Sequence, residues 1–243
     1  MDALVPAPAR GRTVTRRRRV RLCDLDAAGR VRLDALARFL QDVAIDDVEE
    51  TGWGLPEHLW FIRRIRIDVL TPFLEDREVE LRTWCSGLAR VAAGRRWSLR
   101  GDRGGAAEVD SVWIHLGPDG RPQRIGAEFG VYAEAAGGCR VSTRLDLPDP
   151  PADAPRASWP LRAADIDLHG HVNNAVYWQA VEERALRSGP DLRRPLRARL
   201  DYRAPIDLGD RLELVEDAAG DRLLLGFAVG NELRAIARLE QLG

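Results

Sequence analysis

The two halves of the sequence repeat each other, and this duplication limits the folds open to the chain more than any other feature. Residues 24–31 (DLDAAGRV) recur 141 positions later as residues 165–172 (DIDLHGHV), with both aspartates, the glycine and the final valine retained. Residues 64–72 recur at 197–205 with a smaller spacing of 133 positions, so the first copy has a longer connection, around Gly52 to His58. A repeat of this size indicates two copies of one structural unit.

Each copy shows the same order of patterns: a strand, a polar loop, a helix and then several strands. Apolar residues near a 3.6-residue period predict a helix over 33–50 in the first copy, and a matching helix is predicted over 172–187. The predicted strands span 13–22, 59–70, 78–85, 95–100 and 107–116 in the first copy, and 158–162, 196–203, 211–215, 222–229 and 232–239 in the second. This order predicts an α+β fold in which each copy packs one helix on an antiparallel sheet.

The segment between the copies has the composition of a linker. Residues 137–157 are rich in Pro, Asp, Gly and Ala, and the prolines Pro148, Pro150, Pro151 and Pro155 disfavour regular secondary structure. We therefore predict an N-terminal domain at 13–136 and a C-terminal domain at 158–243. With 243 residues and 45% hydrophobic content, the chain is large enough to form two packed units.

Charge and cysteine usage exclude several classes of function. The 37 basic and 38 acidic residues give a net charge of -1, whereas nucleic-acid binders usually carry a basic excess. Cys23, Cys85 and Cys139 lie far apart, so neither a metal site nor a disulfide framework is indicated. Because positions 1–12 lack the core of a signal peptide and no apolar run has membrane-spanning length, we expect a cytoplasmic protein without a membrane span.

A run of four arginines, Arg16 to Arg19, lies in the first predicted strand. The simpler interpretation is a solvated strand, which we favour. The alternative is a basic patch for an acidic partner.

The loop at 165–174 is the densest cluster of chemically capable side chains in the sequence. It contains two of the four histidines together with two aspartates and two asparagines. The copies differ here, because the first has Ala28 and Arg30 where the second has His169 and His171. One copy therefore carries the reactive groups, and the other is expected to supply pocket walls.

The loop motif Asp-x-Asp-x-x-Gly-His-Val-Asn-Asn resembles the thioesterases of the hotdog superfamily, and its occurrence in a tandem repeat resembles the fatty acyl-acyl carrier protein (ACP) thioesterases. Residues 84–90 (WCSGLAR), 40–43 (LQDV) and 200–203 (LDYR) resemble further stretches of that family. The resemblance implies two tandem hotdog domains, each with an antiparallel sheet wrapped around a long central helix. It also implies hydrolysis of fatty acyl thioesters of ACP, without a cofactor or metal.

The resemblance also implies site residues. The family's catalytic Asp and His fall on Asp167 and His171, and its catalytic Asn falls on His169, which is a departure. A downstream Glu-Cys pair of plant members falls on Pro205 and Ile206, a larger departure. Because Pro72 holds the same place in the first copy, these prolines are expected to end a strand or mark a bulge.

The start of the second helix is expected to hold the developing oxyanion. The first N–H groups of a helix lack partners and carry partial positive charge. We therefore predict that Val172 and Asn174 bind substrate and that Asn173 is catalytic. The alternative is that an asparagine only caps the helix, which we favour for Asn174.

Asp167, His171 and His169 are the candidate catalytic side chains. Asp167 could activate water or attack directly, and His171 could orient that group or protonate the leaving thiolate. His169 could replace the family Asn and, unlike it, take up a proton near neutral pH. Asp165 is expected only to brace the loop, and the survival of Asp26 in the first copy weakens the case for Asp167.

Three functions stay open at this point. Hydrolysis of acyl-ACP leads, acyl-CoA hydrolysis is the alternative within the enzyme class, and a non-catalytic module that binds acyl thioesters is the alternative outside it. No nucleic-acid partner is expected. The two units can pair within one chain, and a further homodimer stays open.

Overall fold

The computed structural model of the chain describes residues 4–53 and 58–242. The helices are α1 (Leu33–Glu50), α2 (Gly130–Ala136) and α3 (Val176–Ser188). The strands are β1 (Thr13–Arg19), β2 (Leu59–Thr71), β3 (Glu78–Leu88), β4 (Ala92–Gly101), β5 (Ala106–Leu116), β6 (Arg156–Ser158), β7 (Leu196–Tyr202), β8 (Leu212–Ala219), β9 (Arg222–Val229) and β10 (Glu232–Gln241).

The ten strands form one antiparallel sheet in the order β1-β3-β4-β5-β2-β7-β10-β9-β8-β6. Reading this order from either end gives equivalent strands of the two copies at every step. The predicted duplication is therefore confirmed by the topology, and each copy has one long helix and five strands.

The copies join at strands β2 and β7, which pair as neighbours in the sheet. Arg66 pairs with Arg199 in this register, and these two residues are equivalent in the repeat. The junction is therefore a pseudo-two-fold axis. Asp68, which is buried, accepts hydrogen bonds from the Arg197 guanidinium across the junction at 2.8 and 3.0 Å.

Both long helices contribute to one hydrophobic core. Leu36 and Leu40 of α1 are buried in the same cluster as Trp178 and Val181 of α3. Because this cluster also contains strand residues from both copies, burial of apolar surface stabilises the pairing of the two copies as well as each copy alone. The domain division at 137–157 stays a prediction.

The second long helix and one strand differ from their predicted bounds. Helix α3 begins at Val176 rather than 172, because residues 172 and 173 donate their N–H groups to distant carbonyl groups. Strand β6 ends at Ser158, since Pro160 cannot donate a ladder hydrogen bond. Helix α2 was not predicted. The sequence also predicts that Gly52 and Gly54 end α1, and of these Gly54 lies outside the described residues.

Three of the four arginines in the run of β1, Arg16, Arg17 and Arg18, pair with carboxylates within the chain. Arg18 contacts Asp46 of α1 at 2.7 Å, Arg17 contacts Glu80 of β3 at 3.1 Å, and Arg16 pairs with Glu50. A solvated strand is thus the better interpretation, because these cations already have carboxylate partners. None of the helices within 4–53 and 58–242 combines the length and apolar character needed to span a membrane; the cytoplasmic location and the homodimer stay predictions.

Candidate active site

The loop before α3 is a tight turn that requires its glycine. The Asp167 N–H donates to the His171 carbonyl at 2.9 Å, and the Gly170 N–H donates to the Asp167 carbonyl at 3.0 Å. Gly170 has φ +83°, a left-handed conformation that Gly adopts without strain. Gly29 has φ +80° at the matching place, so the two copies share the turn and differ in the side chains it displays.

Asp165 braces the loop, as predicted. It is 2% exposed, accepts the Arg162 N–H at 2.8 Å and pairs with the Arg162 guanidinium at 2.6 Å. Asp24 in the first copy accepts the Arg21 N–H at the same distance. This contact is therefore common to both copies and carries no chemistry specific to the second.

Asp167 combines a structural contact with an available oxygen. Its Oδ1 accepts the His169 N–H at 2.9 Å, and Asp26 accepts the Ala28 N–H in the same way. In the first copy the other oxygen, Oδ2 of Asp26, is bonded to Arg30 Nε at 3.0 Å. In the second copy Oδ2 of Asp167 makes no hydrogen bond to any other described residue, so this half-buried carboxylate keeps one oxygen free.

His171 is held by the carboxylate of Asp207, which was not predicted from the sequence. Its Nδ1 lies 2.6 Å from Oδ1 of Asp207, and the two residues form an isolated antiparallel bridge. The Asp207 N–H donates to the Asp210 carboxylate at 2.9 Å, which fixes the turn carrying Asp207. Both side chains are partly open to solvent, at 46% for His171 and 62% for Asp207.

This contact determines which nitrogen of His171 can act as a base. A carboxylate only accepts hydrogen bonds, so the hydrogen between His171 and Asp207 belongs to Nδ1. In the neutral ring Nε2 then carries the lone pair. Histidine acts as a general base in this arrangement, in which a carboxylate binds one ring nitrogen and the other ring nitrogen is free.

Pro205 and Ile206 lie where the resemblance placed the family Glu-Cys pair. Pro205 follows the end of β7 and Pro72 follows the end of β2, so the strand-end interpretation is confirmed. Asp207 comes two positions after Pro205 and supplies a carboxylate to the same neighbourhood. In the sequence, the signal for Asp207 is an acidic residue that directly follows Pro205 and Ile206, the positions aligned with the family Glu-Cys pair.

The two asparagines differ in their contacts. Oδ1 of Asn173 accepts the Ala175 N–H at 2.9 Å, so Asn173 is the residue that braces the helix start. Asn174 instead lines a cleft, and its carbonyl accepts the Tyr202 hydroxyl at 3.0 Å. The prediction that Asn174 is the cap is therefore wrong.

Only part of the predicted oxyanion site is available. The Val172 N–H donates to the Ile206 carbonyl at 2.8 Å, and the Asn173 N–H donates to the Asp165 carbonyl at 2.9 Å. The expectation that these two groups bind an oxyanion is wrong, because both are already bonded. The Asn174 N–H makes no hydrogen bond to another described residue and remains a candidate donor.

The cleft beside Asn174 lies between the two copies and has mostly apolar walls. Its first-copy wall comes from α1, β2, β4 and β5, and its second-copy wall comes from α3, the last residue of β7 and the loop before α3. The lining residues are Ala37, Leu40, Gln41, Ile62, Ile65, Trp97, Trp113, Asn174, Trp178 and Tyr202. The apolar side chains that predominate in these walls favour an apolar group over a charged one.

His169 is exposed at the tip of the turn. Its backbone N–H is bonded to Asp167, and its ring makes no hydrogen bond to another described residue. The loop thus brings Asp167, His169 and His171 to one surface, while Asn173 is directed to the helix start.

Comparisons with known proteins show the family of the chain. The sequence model of the acyl-ACP thioesterase N-terminal domain matches residues 11–130, and that of the C-terminal domain matches residues 150–232. Uncharacterized protein Rv2001 of Mycobacterium tuberculosis is 33% identical over 245 residues, covering 99% of this chain and 96% of its own. Oleoyl-acyl carrier protein thioesterase 2 of Arabidopsis thaliana is 27% identical over 172 residues, covering 60% of this chain and 46% of its own.

Solved structures show the same fold. The 12:0-ACP thioesterase from Umbellularia californica has a TM-score of 0.75 with 17% identity, over 95% of this chain and 97% of that one. An acyl-ACP thioesterase from Bacteroides thetaiotaomicron has a TM-score of 0.76 with 17% identity, over 94% and 97%. The predicted pair of tandem hotdog units is confirmed by these likenesses. With both of its halves matched by the family's domain models, the chain belongs to the acyl-ACP thioesterase family.

Proposed function

We propose that this protein hydrolyses fatty acyl thioesters of ACP and releases the free fatty acid. The observation that carries the proposal is the His171–Asp207 pair, which is present only in the second copy; His171 lies on the same loop as Asn174, which lines the apolar cleft. The cleft would take the acyl chain, and the thioester carbonyl would lie at the loop. No cofactor takes part in the proposed reaction.

In the proposed reaction His171 activates water. Nε2 takes a proton from the water as the water oxygen bonds to the thioester carbon. The π electrons of the carbonyl group move to the carbonyl oxygen. Asp207 stabilises the imidazolium through Nδ1–H. The tetrahedral intermediate then collapses, the C–S bond breaks, and the imidazolium returns its proton to the thiolate.

Three further groups of the loop are proposed to assist this reaction. The free N–H of Asn174 is proposed to donate to the oxyanion, as an N–H group near a helix start does. His169 is proposed to contact the leaving group, because its ring is exposed beside the site. Asp167 is proposed to hold the attacking water with its free oxygen, which gives it a charge-dependent role beyond the turn.

Replacing Asp167 by asparagine separates its two roles. Asparagine keeps an oxygen that accepts the His169 N–H, so thermal stability should stay at the wild-type value. Loss of the charge should lower kcat by about 10-fold or more, toward the lower end of acid–base effects. Asp26→Asn in the first copy is the matched control and should leave kcat unchanged; wild-type kcat in Asp167→Asn would restrict Asp167 to bracing the turn.

The function itself is tested by assaying the full chain on matched acyl-ACP and acyl-CoA thioesters from medium to long chains, with free thiol as the readout. We expect turnover on acyl-ACP with a higher kcat/KM than on acyl-CoA of the same chain length. Faster turnover of acyl-CoA would show that acyl-CoA, rather than acyl-ACP, is the preferred substrate. Tight binding of both thioesters without thiol release would instead indicate a binding module.

A further inference from the structure

The first copy holds a carboxylate at the start of its long helix. Oε1 of Glu182, from α3, accepts the Leu33 N–H at 2.6 Å and Nη1 of Arg30 at 2.9 Å. Glu182 is 4% exposed. A negatively charged oxygen thus occupies the place at α1 where an oxyanion would be stabilised by the helix start.

The repeat relates this place to the candidate active site. The spacing of 141 positions maps Leu33 onto Asn174 and maps Gln41 of α1 onto Glu182 of α3. Because the copies are related by a pseudo-two-fold axis, Gln41 is expected to lie near the start of the second helix, as Glu182 lies at the start of the first. The structure supports this mapping independently, since Gln41 and Asn174 line the same cleft.

Gln41 differs from Glu182 in charge and in its contacts. It carries no negative charge, and its carboxamide can donate two hydrogen bonds through Nε2. It is half-buried, and its side chain makes no hydrogen bond to another residue within 4–53 or 58–242. The Asn174 N–H is likewise unbonded to described residues, so two donors border the cleft without a protein acceptor.

We propose that Gln41 is a catalytic residue, donating from Nε2 to the oxyanion together with the Asn174 N–H. This inference rests on the proposed thioester hydrolysis. When water adds to the thioester carbon, the carbonyl oxygen becomes negative and occupies the position that Oε1 of Glu182 occupies in the first copy. In the first copy the hydrogen-bond acceptor at this position is the Glu182 carboxylate. In the second copy the acceptor is the oxyanion of the substrate.

The test uses the full chain with Gln41→Ala, Gln41→Glu and, as the matched control, Asp42→Asn on the exposed side of the same helix. With the best acyl thioester of the wild type, Gln41→Ala should lower kcat by about 10²-fold, the usual effect of one lost oxyanion donor, with little change in KM. Gln41→Glu should lower kcat further, because a carboxylate repels the oxyanion. Asp42→Asn should retain wild-type kcat.

A thioether analogue, with a methylene in place of the carbonyl, provides a second measurement. It has no oxygen at the reacting carbon, so its inhibition constant should be the same for wild type and Gln41→Ala, whereas a distorted cleft would weaken it. A Gln41→Ala variant with wild-type kcat would overturn this inference alone. Weaker binding of the thioether to Gln41→Ala, by a factor as large as the whole loss of activity, would do the same. A wild-type chain that hydrolyses no acyl thioester overturns the proposed function together with it.

Discussion

Replacing His171 by alanine should lower kcat for acyl thioester hydrolysis by about 10³-fold, within the usual range for loss of a general base. The side chain is partly exposed, and its one hydrogen bond to a described residue is to Asp207. Its removal therefore should not lower the melting temperature. Thiol release under saturating substrate, measured beside a thermal unfolding curve, separates a chemical loss from a folding defect.

Asp207→Asn should produce a smaller loss, of about 10-fold, because the carboxylate is well exposed and water partly replaces its effect on the imidazolium. His169→Asn is a conservative replacement on the same loop, because asparagine can still donate a hydrogen bond to the leaving group. It restores the residue that the family resemblance implies and should keep most of the activity. Equal activity of His171→Ala and wild type would contradict the assignment of the base, and a His169→Asn loss as large as that of His171→Ala would move the assignment to His169.

Replacing Glu182 by alanine should lower the free energy of unfolding by about 3–5 kcal/mol, the usual effect of removing one partner of a buried ion pair. Glu182 bonds both Arg30 and the Leu33 N–H at the start of α1. Burial raises the pKa of Glu182, and Arg30 offsets part of this effect. Without Glu182, Arg30 would keep Asp26 as its carboxylate partner among the described residues, and the Leu33 N–H would have no acceptor.

The melting temperature should fall by about 10 °C for this change in a chain of this size. Glu182→Gln keeps an acceptor for both donors and should cost less, about 1–2 kcal/mol. Glu183→Ala is the control, since Glu183 forms a surface pair with Arg187 and such pairs contribute about 0–1 kcal/mol. A melting temperature of Glu182→Ala equal to that of Glu183→Ala would show that the buried pair does not stabilise the junction of the copies.

Much of the fold followed from local patterns. Helix α1 begins and ends at the predicted residues, Leu33 and Glu50, and strand β9 has its predicted bounds. Periodicity and turn residues act within a short stretch of chain, so the sequence reveals them directly. The start of α3 was placed too early, because its first residues bond to segments far away in the sequence.

The candidate site was predicted less completely than the fold. The turn was predicted because Gly29 and Gly170 match in the two copies. His171 was predicted because the first copy has Arg30 at the same position. Asp207 was missed because it lies 36 residues from His171 and reaches it only through the end of β7.

The sequence by itself determined that the chain contains two copies of one unit and that only the second carries histidines on its loop, since both facts follow from comparing residues at fixed spacing. The tertiary structure decided which groups are free to act. Hydrogen bonds to distant partners occupy the N–H groups of Val172 and Asn173 and leave that of Asn174 open. The pseudo-two-fold packing of α1 against α3 then brings Gln41 to the cleft, because residues far apart in sequence become neighbours only when the two copies share one core.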